Sequence, residues 1–289
     1  MIDPVSTSAV KQLIQEFGLI PSKRRGQNFL VDKSIRKRMI DLLELNPDDA
    51  AVEIGPGFGA LTIELAEQCR TLTAVEVDTR LMASLQLRFE RKPNVRLISA
   101  SVLDLSIDDL LQDEPVGKLI SNVPYVITSP LITKILNHKD RFSTILLMIQ
   151  KEVAQRLSAD ADTPEYGSLS LFVQYHADVK YCGRVANRAF YPVPEVDSAI
   201  VKLTPKESDL SPSVERRMFK LIKAAFSMRR KNLRNNLAGL IGDPDRAAAF
   251  LRSQDIDPAR RGETLTLAEY KRLAKALSGR QLSRPPYSP

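Results

Sequence analysis

The sequence predicts an α/β fold in which a largely parallel sheet covered by helices precedes a small all-helical C-terminal domain. Short apolar runs alternate with stretches of helical period up to about residue 205, and only helical patterns follow. The chain of 289 residues is long enough to give both domains a hydrophobic core. We therefore predict domains over residues 1–205 and 206–289.

Strand-length apolar runs and helical patterns alternate along the first domain, which favours a parallel sheet buried on both faces. The predicted strands are Ala50–Ile54, Leu72–Val77, Val95–Ile98, Lys118–Asn122, Thr144–Ile149, Val179–Tyr181 and Ser198–Leu203. The predicted helices in this part are Lys33–Leu45, with Asp32 as its N-cap, Ala60–Cys69 and Thr79–Glu90.

The second domain begins after a change in composition near residue 206. Proline, serine and charged residues between Pro205 and Ser213 are typical of a linker followed by a helix start. The predicted helices beyond it are Val214–Met228, Lys231–Leu240, Pro244–Arg252 and Thr266–Leu277. Ser278–Pro289 is predicted to be a frayed tail.

Charge, cysteine and histidine content narrow the classes of function. The net charge is +7, so an acidic partner is plausible. Two distant cysteines and two histidines provide neither a paired cysteine spacing nor a His-rich cluster, so we expect no metal site. The N-terminus lacks a secretory signal, and no apolar run is long enough to cross a membrane. These features favour a cytoplasmic protein.

Positive charge is concentrated in one segment of the second domain. Between Arg216 and Gly242 there is no acidic residue, yet the segment has eight lysines and arginines. Such a run usually forms a solvated helix face, but the missing counter-charges favour contacts with RNA phosphates. The candidate RNA-binding residues are Arg229, Arg230, Lys231 and Arg234 in this segment, and Lys23, Arg24 and Arg25 near the N-terminus.

A glycine-rich turn between the first predicted strand and its helix indicates a nucleoside cofactor. Gly55, Gly57 and Gly59 allow backbone N–H groups to approach a ligand closely. A dinucleotide site is one alternative, because the spacing satisfies G-x-G-x-x-G/A and Glu76 could bind a ribose in either case. Glu53 would repel a pyrophosphate but suits an ammonium and a sulfonium, which favours S-adenosylmethionine. Upstream, Gly26–Leu30 is either a surface turn or a lid over the cofactor.

The turn Asn122–Tyr125 has the groups needed to bind a planar base with an exocyclic amine. That amine is a poor nucleophile, and acceptors at the Asn122 side-chain oxygen and the Pro124 carbonyl would direct its lone pair toward a methyl group. Tyr125 would stack on the base, which must be single-stranded or flipped out. The alternative is a strand-terminating turn with an Asx-type hydrogen bond. Together with the glycine turn, this motif indicates methyl transfer to a nucleobase nitrogen.

Seven segments occur in an order that resembles the ribosomal RNA adenine dimethyltransferase family, most closely its small-subunit branch. The likeness extends from about Val10 to about Leu277. The segments are Gly26–Leu30, Glu53–Gly59, Val75–Asp78, Asn122–Tyr125, Gln150–Val153, Phe190–Ala199 and Ala224–Arg234.

The resemblance implies a Rossmann-like S-adenosylmethionine-dependent methyltransferase sheet in a catalytic domain over 1–205, and an rRNA-binding helical domain over 206–289. Members dimethylate two adjacent adenines in a hairpin near the 3′ end of small-subunit rRNA. The expected partner is this rRNA or a precursor particle, bound by a monomer. The cofactor contacts of the family fall on Asn28, Leu30, Gly55, Glu76 and Asn122. Phe190 matches an aromatic that sandwiches the target base against Tyr125, although a core phenylalanine is equally compatible with its position.

The sequence departs from the family pattern after the third predicted strand. Ala100 and Ser101 replace the usual Gly-Asp, whose carboxylate accepts from the cofactor's adenine amine. Ser101 can accept a hydrogen bond without charge, so weaker cofactor binding is expected. Asp104 is a candidate for compensation, although its spacing does not match. Val123 replaces the usual Leu or Ile, and activity is still expected.

The sequence leaves three alternative functions open. A large-subunit rRNA adenine methylase of the antibiotic-resistance type shares the fold and pocket, but Gly26 and the segment from Ala224 to Lys231 argue against it. The chain could instead be a small-subunit assembly factor that methylates little. A dinucleotide oxidoreductase would leave Asn122–Tyr125 unexplained.

Overall fold

A computed structural model describes residues 2–22, 26–228 and 230–277. Contacts divide the chain into two compact units, one of residues up to 154 with 177–206, the other of residues 155–176 with those from 207 onward. The helices are α1 (Thr7–Glu16), α2 (Lys33–Leu43), α3 (Thr62–Gln68), α4 (Thr79–Phe89), α5 (Ile107–Leu111), α6 (Thr128–Leu136), α7 (Lys151–Leu157), α8 (Ser168–His176), α9 (Pro212–Ala225), α10 (Leu233–Ile241), α11 (Pro244–Arg252) and α12 (Leu267–Ala276). The strands are β1 (Phe29–Leu30), β2 (Ala50–Ile54), β3 (Thr71–Glu76), β4 (Val95–Ser99), β5 (Gly117–Asn122), β6 (Phe142–Gln150), β7 (Ala177–Val185), β8 (Phe190–Tyr191) and β9 (Ser198–Pro205).

Seven strands of the described chain form one sheet in the order β4-β3-β2-β5-β6-β9-β7. The strands from β4 to β6 are parallel, and β9 runs antiparallel between β6 and β7. β2 is buried at every position, which explains why four of its five residues are apolar, with Glu53 as the exception. Because parallel strands end at the same edge, the turns after β2, β3, β4 and β5 meet there. The predicted α/β sheet is confirmed.

Strand β7 is longer than the three residues predicted for it. Its register with β9 shifts between Tyr181 and Gly183, and Gly183 has a φ of +116°. A bulge of this kind interrupts the period-two pattern from which strands are recognised, so the sequence revealed only part of the strand.

The second unit is all-helical in its described part, and it includes residues 155–176. The sequence-based boundary near residue 206 had placed this segment in the first domain. Leu171 and Tyr175 of α8 belong to the same buried cluster as Met218 and Leu221 of α9, which accounts for the segment's place in this unit. Among the described residues, no helix has the length and apolar content needed to cross a bilayer.

Candidate active site

A pocket of about 740 Å³ lies in the first unit, at the edge where the parallel strands end. Its walls come from the turns after β2, β3, β4 and β5 and from the segment before β1. The site residues predicted from sequence that line it are Asn28, Leu30, Gly55, Glu76, Ser101, Asn122, Pro124, Tyr125 and Phe190. Gly57 is not part of the lining. The structure thus brings the proposed cofactor and target groups into one cavity.

The glycine turn lies directly against the Asn122–Tyr125 turn. Gly55 has a φ of +69°, and a Cβ there would lie 3.6 Å from Pro124 Cδ. Gly57 has a φ of +59°, and its N–H donates to Glu76 Oε2 at 3.2 Å. Both conformations are strained for residues with side chains. Gly55 therefore allows the two turns to pack closely, whereas the Gly57 N–H orients the Glu76 carboxylate.

Glu76 is a buried, oriented acceptor at the end of β3. Its Oε1 also accepts the N–H groups of Val77 and Asp78, both at 2.9 Å. Burial raises the pKa of Glu76, although these three N–H groups act in the opposite direction. A carboxylate has about four lone-pair sites, so capacity remains for ribose hydroxyls. This geometry fits the predicted ribose contact.

Glu53, in β2 just ahead of the glycine turn, is the second buried carboxyl in the pocket wall. Its exposed fraction is 1%, and its Oε2 has no hydrogen-bond partner among the described residues. Burial, opposed by the Thr62 hydroxyl and reinforced by the nearby Glu76 carboxylate, raises its pKa to about 8. A buried polar oxygen without a partner is costly, and a cationic ligand in the cavity would favour the ionised carboxylate and satisfy it. This orphaned oxygen fits a cofactor with positive charge.

Asn122 lines the pocket, and one face of its side-chain amide is engaged by the backbone. Its Nδ2 donates to the backbone carbonyl of Asn28 at 3.1 Å, which fixes the amide orientation. Within the described chain, no group donates to Oδ1. The amide oxygen therefore remains an acceptor at the junction of the two turns, as the predicted role requires.

Pro124 and Tyr125 supply the carbonyl and the ring. The Pro124 carbonyl accepts the Ile127 N–H at 3.0 Å, which starts a 3-10 turn over Tyr125–Ile127. A carbonyl oxygen has a second lone pair, so it can still accept from a ligand. The Tyr125 hydroxyl lies 3.0 Å from Ser198 Oγ. Ser198 had no role of its own in the sequence-based interpretation.

The segment Gly26–Leu30 contributes to the wall of this pocket, which favours the lid interpretation over a plain surface turn. Gly26 has a φ of +64°, and a Cβ there would be 3.1 Å from the Tyr125 backbone nitrogen. Gln27 donates to Asp78 at 3.1 Å and accepts from the Ser22 N–H at 2.9 Å. The loop therefore forms a hydrogen bond with Asp78, just after β3, and packs closely against the Asn122–Tyr125 turn.

Phe190 lines the pocket but also belongs to the hydrophobic core. It is 2% exposed and lies opposite Leu30 in the two-stranded pairing of β1 with β8. Stacking on a base requires an accessible ring face, so the sandwiching role stays a prediction. These two-residue strands were not predicted, because they are too short to show a period.

Comparison with known proteins decides the family. The model of a family described as ribosomal RNA adenine dimethylase matches residues 21–278. The chain belongs to the ribosomal RNA adenine dimethylase family. Among its relatives, ribosomal RNA small subunit methyltransferase A of Geobacter metallireducens is 42% identical, over 90% of this chain and 96% of the relative. The protein of the same name from Pelotomaculum thermopropionicum is 39% identical, over 95% and 97%.

Solved structures agree with this assignment. A dimethyladenosine transferase from Plasmodium falciparum superposes with a TM-score of 0.73 at 25% identity, covering 85% of this chain and 95% of that one. The 23S rRNA methyltransferase ErmE gives 0.68 at 27% identity, covering 86% and 99%. The adenine dimethylase assignment confirms a Rossmann-like methyltransferase that uses S-adenosylmethionine, and it excludes the dinucleotide oxidoreductase.

The segment after β4, where the sequence departs from the family pattern, contributes to the pocket wall. Ser101 lines the pocket, and its Oγ accepts the Leu103 N–H at 3.3 Å. Asp104 is exposed and does not line the cavity, so it offers no compensating carboxylate there. Ser101 therefore stays the predicted acceptor for the cofactor's adenine amine.

The structure corrects one part of the argument for the basic segment. Arg230, Lys231 and Arg234 are exposed, but Arg234 Nη2 lies 2.7 Å from Asp245 Oδ1. The short connection between α10 and α11 brings this counter-charge close, although it lies beyond the acid-free stretch. An exposed ion pair of this kind has a small interaction free energy, so the segment keeps its positive character. Lys23, Arg24, Arg25 and Arg229 lie outside the described residues.

Proposed function

We propose that this adenine dimethylase transfers methyl groups from S-adenosylmethionine to the exocyclic amines of two adjacent adenines in a 3′-terminal hairpin of small-subunit rRNA. The observation that supports it most directly is Asn122, whose amide is fixed by the Asn28 carbonyl with Oδ1 left as an acceptor. Relatives named for the small subunit, matched over almost their whole length, favour that substrate over large-subunit rRNA. A role in small-subunit biogenesis follows from the same substrate.

The chain's own groups can activate the amine without a strong base. When bound, S-adenosylmethionine supplies an electrophilic methyl group. Asn122 Oδ1 and the Pro124 carbonyl each accept one amine hydrogen, which directs the nitrogen lone pair toward that methyl group. The nitrogen would form the new C–N bond as the methyl–sulfur bond breaks and a neutral thioether leaves, and it would then lose a proton to water. Orientation and preorganised acceptors supply most of the acceleration.

The two domains predicted from the sequence have separate roles in this proposal. Residues 1–205 bind the cofactor and the flipped adenine, and residues 206–289 bind rRNA through exposed cations. A monomer in the cytoplasm remains the expected state. The alternative of an assembly factor that methylates little rests on Ser101, which provides a weaker acceptor than a carboxylate.

Labelling with tritiated S-adenosylmethionine tests the substrate class. The acceptors are small subunits that lack adenine dimethylation, naked small-subunit rRNA and naked large-subunit rRNA. We expect label in small-subunit rRNA. Label confined to large-subunit rRNA would identify an enzyme of the resistance type. Co-sedimentation with small subunits without any label would identify an assembly factor.

Replacing Ser101 with aspartate should tighten S-adenosylmethionine binding about fivefold. A charged acceptor forms a hydrogen bond roughly 1 kcal/mol stronger than a hydroxyl does. Isothermal titration calorimetry measures the Kd directly. Ser8→Asp, an equal charge change at an exposed position on α1, should leave the Kd unchanged. Weaker binding by Ser101→Asp would show that Ser101 does not face the cofactor's adenine.

Replacing Arg229, Arg230 and Lys231 together with alanine should weaken rRNA binding and spare cofactor binding. Each lost phosphate contact should reduce the slope of log affinity against log salt by about one. Filter binding over a salt series measures both quantities. Lys37→Ala with Lys92→Ala, exposed cations of the first unit, is the control. An unchanged slope in the triple variant would remove the RNA-binding role of this segment.

A further inference from the structure

The Tyr125 hydroxyl forms a hydrogen bond with a residue that does not line the pocket. Its hydroxyl and Ser198 Oγ are 3.0 Å apart, and either oxygen can be the donor. Tyr125 lines the pocket, whereas Ser198 does not. Burial also raises the pKa of the Tyr125 hydroxyl, which keeps it protonated. The hydroxyl is therefore engaged behind the pocket wall while the ring contributes to the wall itself.

Ser198 belongs to a rigid part of the sheet. It is 1% exposed and pairs with Gln150 of β6 on one side and Val185 of β7 on the other. The preceding residue, Asp197, accepts the Asn187 N–H at 3.0 Å, and its own carbonyl accepts the Lys151 N–H at 3.0 Å. The backbone that carries the Ser198 side chain is therefore held from both sides.

Tyr125, by contrast, begins a 3-10 turn outside the sheet. Its ring can rotate about two side-chain torsions. If the ring rotated freely, fixing it against the base would cost side-chain entropy and reduce the free energy gained by stacking. A hydrogen bond at the para oxygen fixes the distal end of the ring, while the backbone fixes the other end. The two attachments define the direction of the ring in the pocket.

We propose that Ser198 is a positioning residue for the methylation reaction, which holds the Tyr125 ring in the orientation that stacks on the target adenine. This inference rests on the proposed function of the same pocket. It gives a role to the Asp197-Ser198 part of the segment Phe190–Ala199, to which the sequence had assigned none. The Tyr125 hydroxyl acts here through orientation rather than by touching the amine.

A double-mutant cycle tests the proposal with Ser198→Ala, Tyr125→Phe and the double variant. Each single variant should lower kcat about 3- to 10-fold, the range of one hydrogen bond, with the KM for S-adenosylmethionine unchanged. The double variant should be no slower than either single variant. Ser170→Ala removes another buried serine hydroxyl, bonded to the Arg156 carbonyl in the second unit, and should leave kcat unchanged. Multiplicative effects in the double variant, or an unchanged kcat in Ser198→Ala, would overturn the proposal.

A fluorescence measurement separates positioning from a loss of stability. An RNA hairpin with 2-aminopurine at the target adenine should be quenched on binding wild type, because the base stacks on Tyr125. Ser198→Ala should quench less at the same melting temperature, and Ser198→Thr should restore quenching because it keeps a hydroxyl. Equal quenching by wild type and Ser198→Ala would contradict the role of Ser198. All rates are taken relative to wild type on the rRNA that wild type labels, so an absence of wild-type activity would instead refute the proposed function.

Discussion

Replacing Asn122 with alanine should lower kcat for rRNA methylation by about 10²- to 10³-fold. The variant loses the oxygen that is preorganised for an amine hydrogen, because the Asn28 carbonyl holds the amide in one orientation. Methyl transfer from labelled S-adenosylmethionine under single-turnover conditions measures this step. Binding of small-subunit rRNA should change little, since the proposed phosphate contacts involve other residues.

Two variants accompany this experiment. Asn137→Ala removes an exposed asparagine at the end of α6, outside the pocket, and should retain full activity. Asn122→Asp keeps the shape but places a carboxylate opposite the Asn28 carbonyl, so it should be impaired as well. Wild-type kcat in Asn122→Ala would show that the amine is activated by other groups. It would also favour the assembly-factor alternative if small subunits still matured.

Replacing Glu53 with glutamine should stabilise the cofactor-free protein at pH 8 by a few kcal/mol and weaken S-adenosylmethionine binding. Burial raises the pKa of Glu53 to about 8, from an ordinary value of 4.5. Between these two values the folded state retains a proton that the unfolded state has released. Wild-type stability therefore falls as pH rises from about 4.5 to 8, and a neutral amide removes this contribution.

Urea denaturation between pH 5 and 9 checks the effect of Glu53. The variant should lose most of the decline of stability with pH. We assign the remaining decline to Glu76, because burial also raises the pKa of Glu76. Glu67→Gln changes an exposed carboxylate and should keep the wild-type profile. Cofactor affinity should rise with pH in wild type, because the ionised carboxylate attracts a cation, and vary less in Glu53→Gln. Identical pH profiles in wild type and Glu53→Gln would show that the pKa of Glu53 does not differ between the folded and unfolded states.

The sheet and the two turns of the pocket could be predicted because their signals are local. Largely apolar runs mark strands such as Ala50–Ile54, and glycine occupies positions 55 and 57, where φ is positive. Parallel pairing then places the ends of the strands at one edge. The convergence of Glu76 and Asn122 on one cavity follows from that topology.

Features that depend on long-range contacts could not be predicted. The pairing of Phe29 with Tyr191 involves strands of two residues, and the bond between Tyr125 and Ser198 joins positions 73 apart. Nothing near Arg234 in the sequence indicates that Asp245 returns beside it. Local sequence patterns do not predict any of these contacts, because tertiary packing determines them.

The content of N6,N6-dimethyladenosine in small-subunit rRNA is the measurement that tests the central claim most directly. Small subunits lacking the modification are incubated with S-adenosylmethionine and either wild type or Asn122→Ala, and nuclease digests are quantified by mass spectrometry. We predict two dimethyladenosines per particle with wild type and almost none with the variant. Equal amounts with both proteins, or none with wild type on particles that it binds, would contradict the assignment of this pocket.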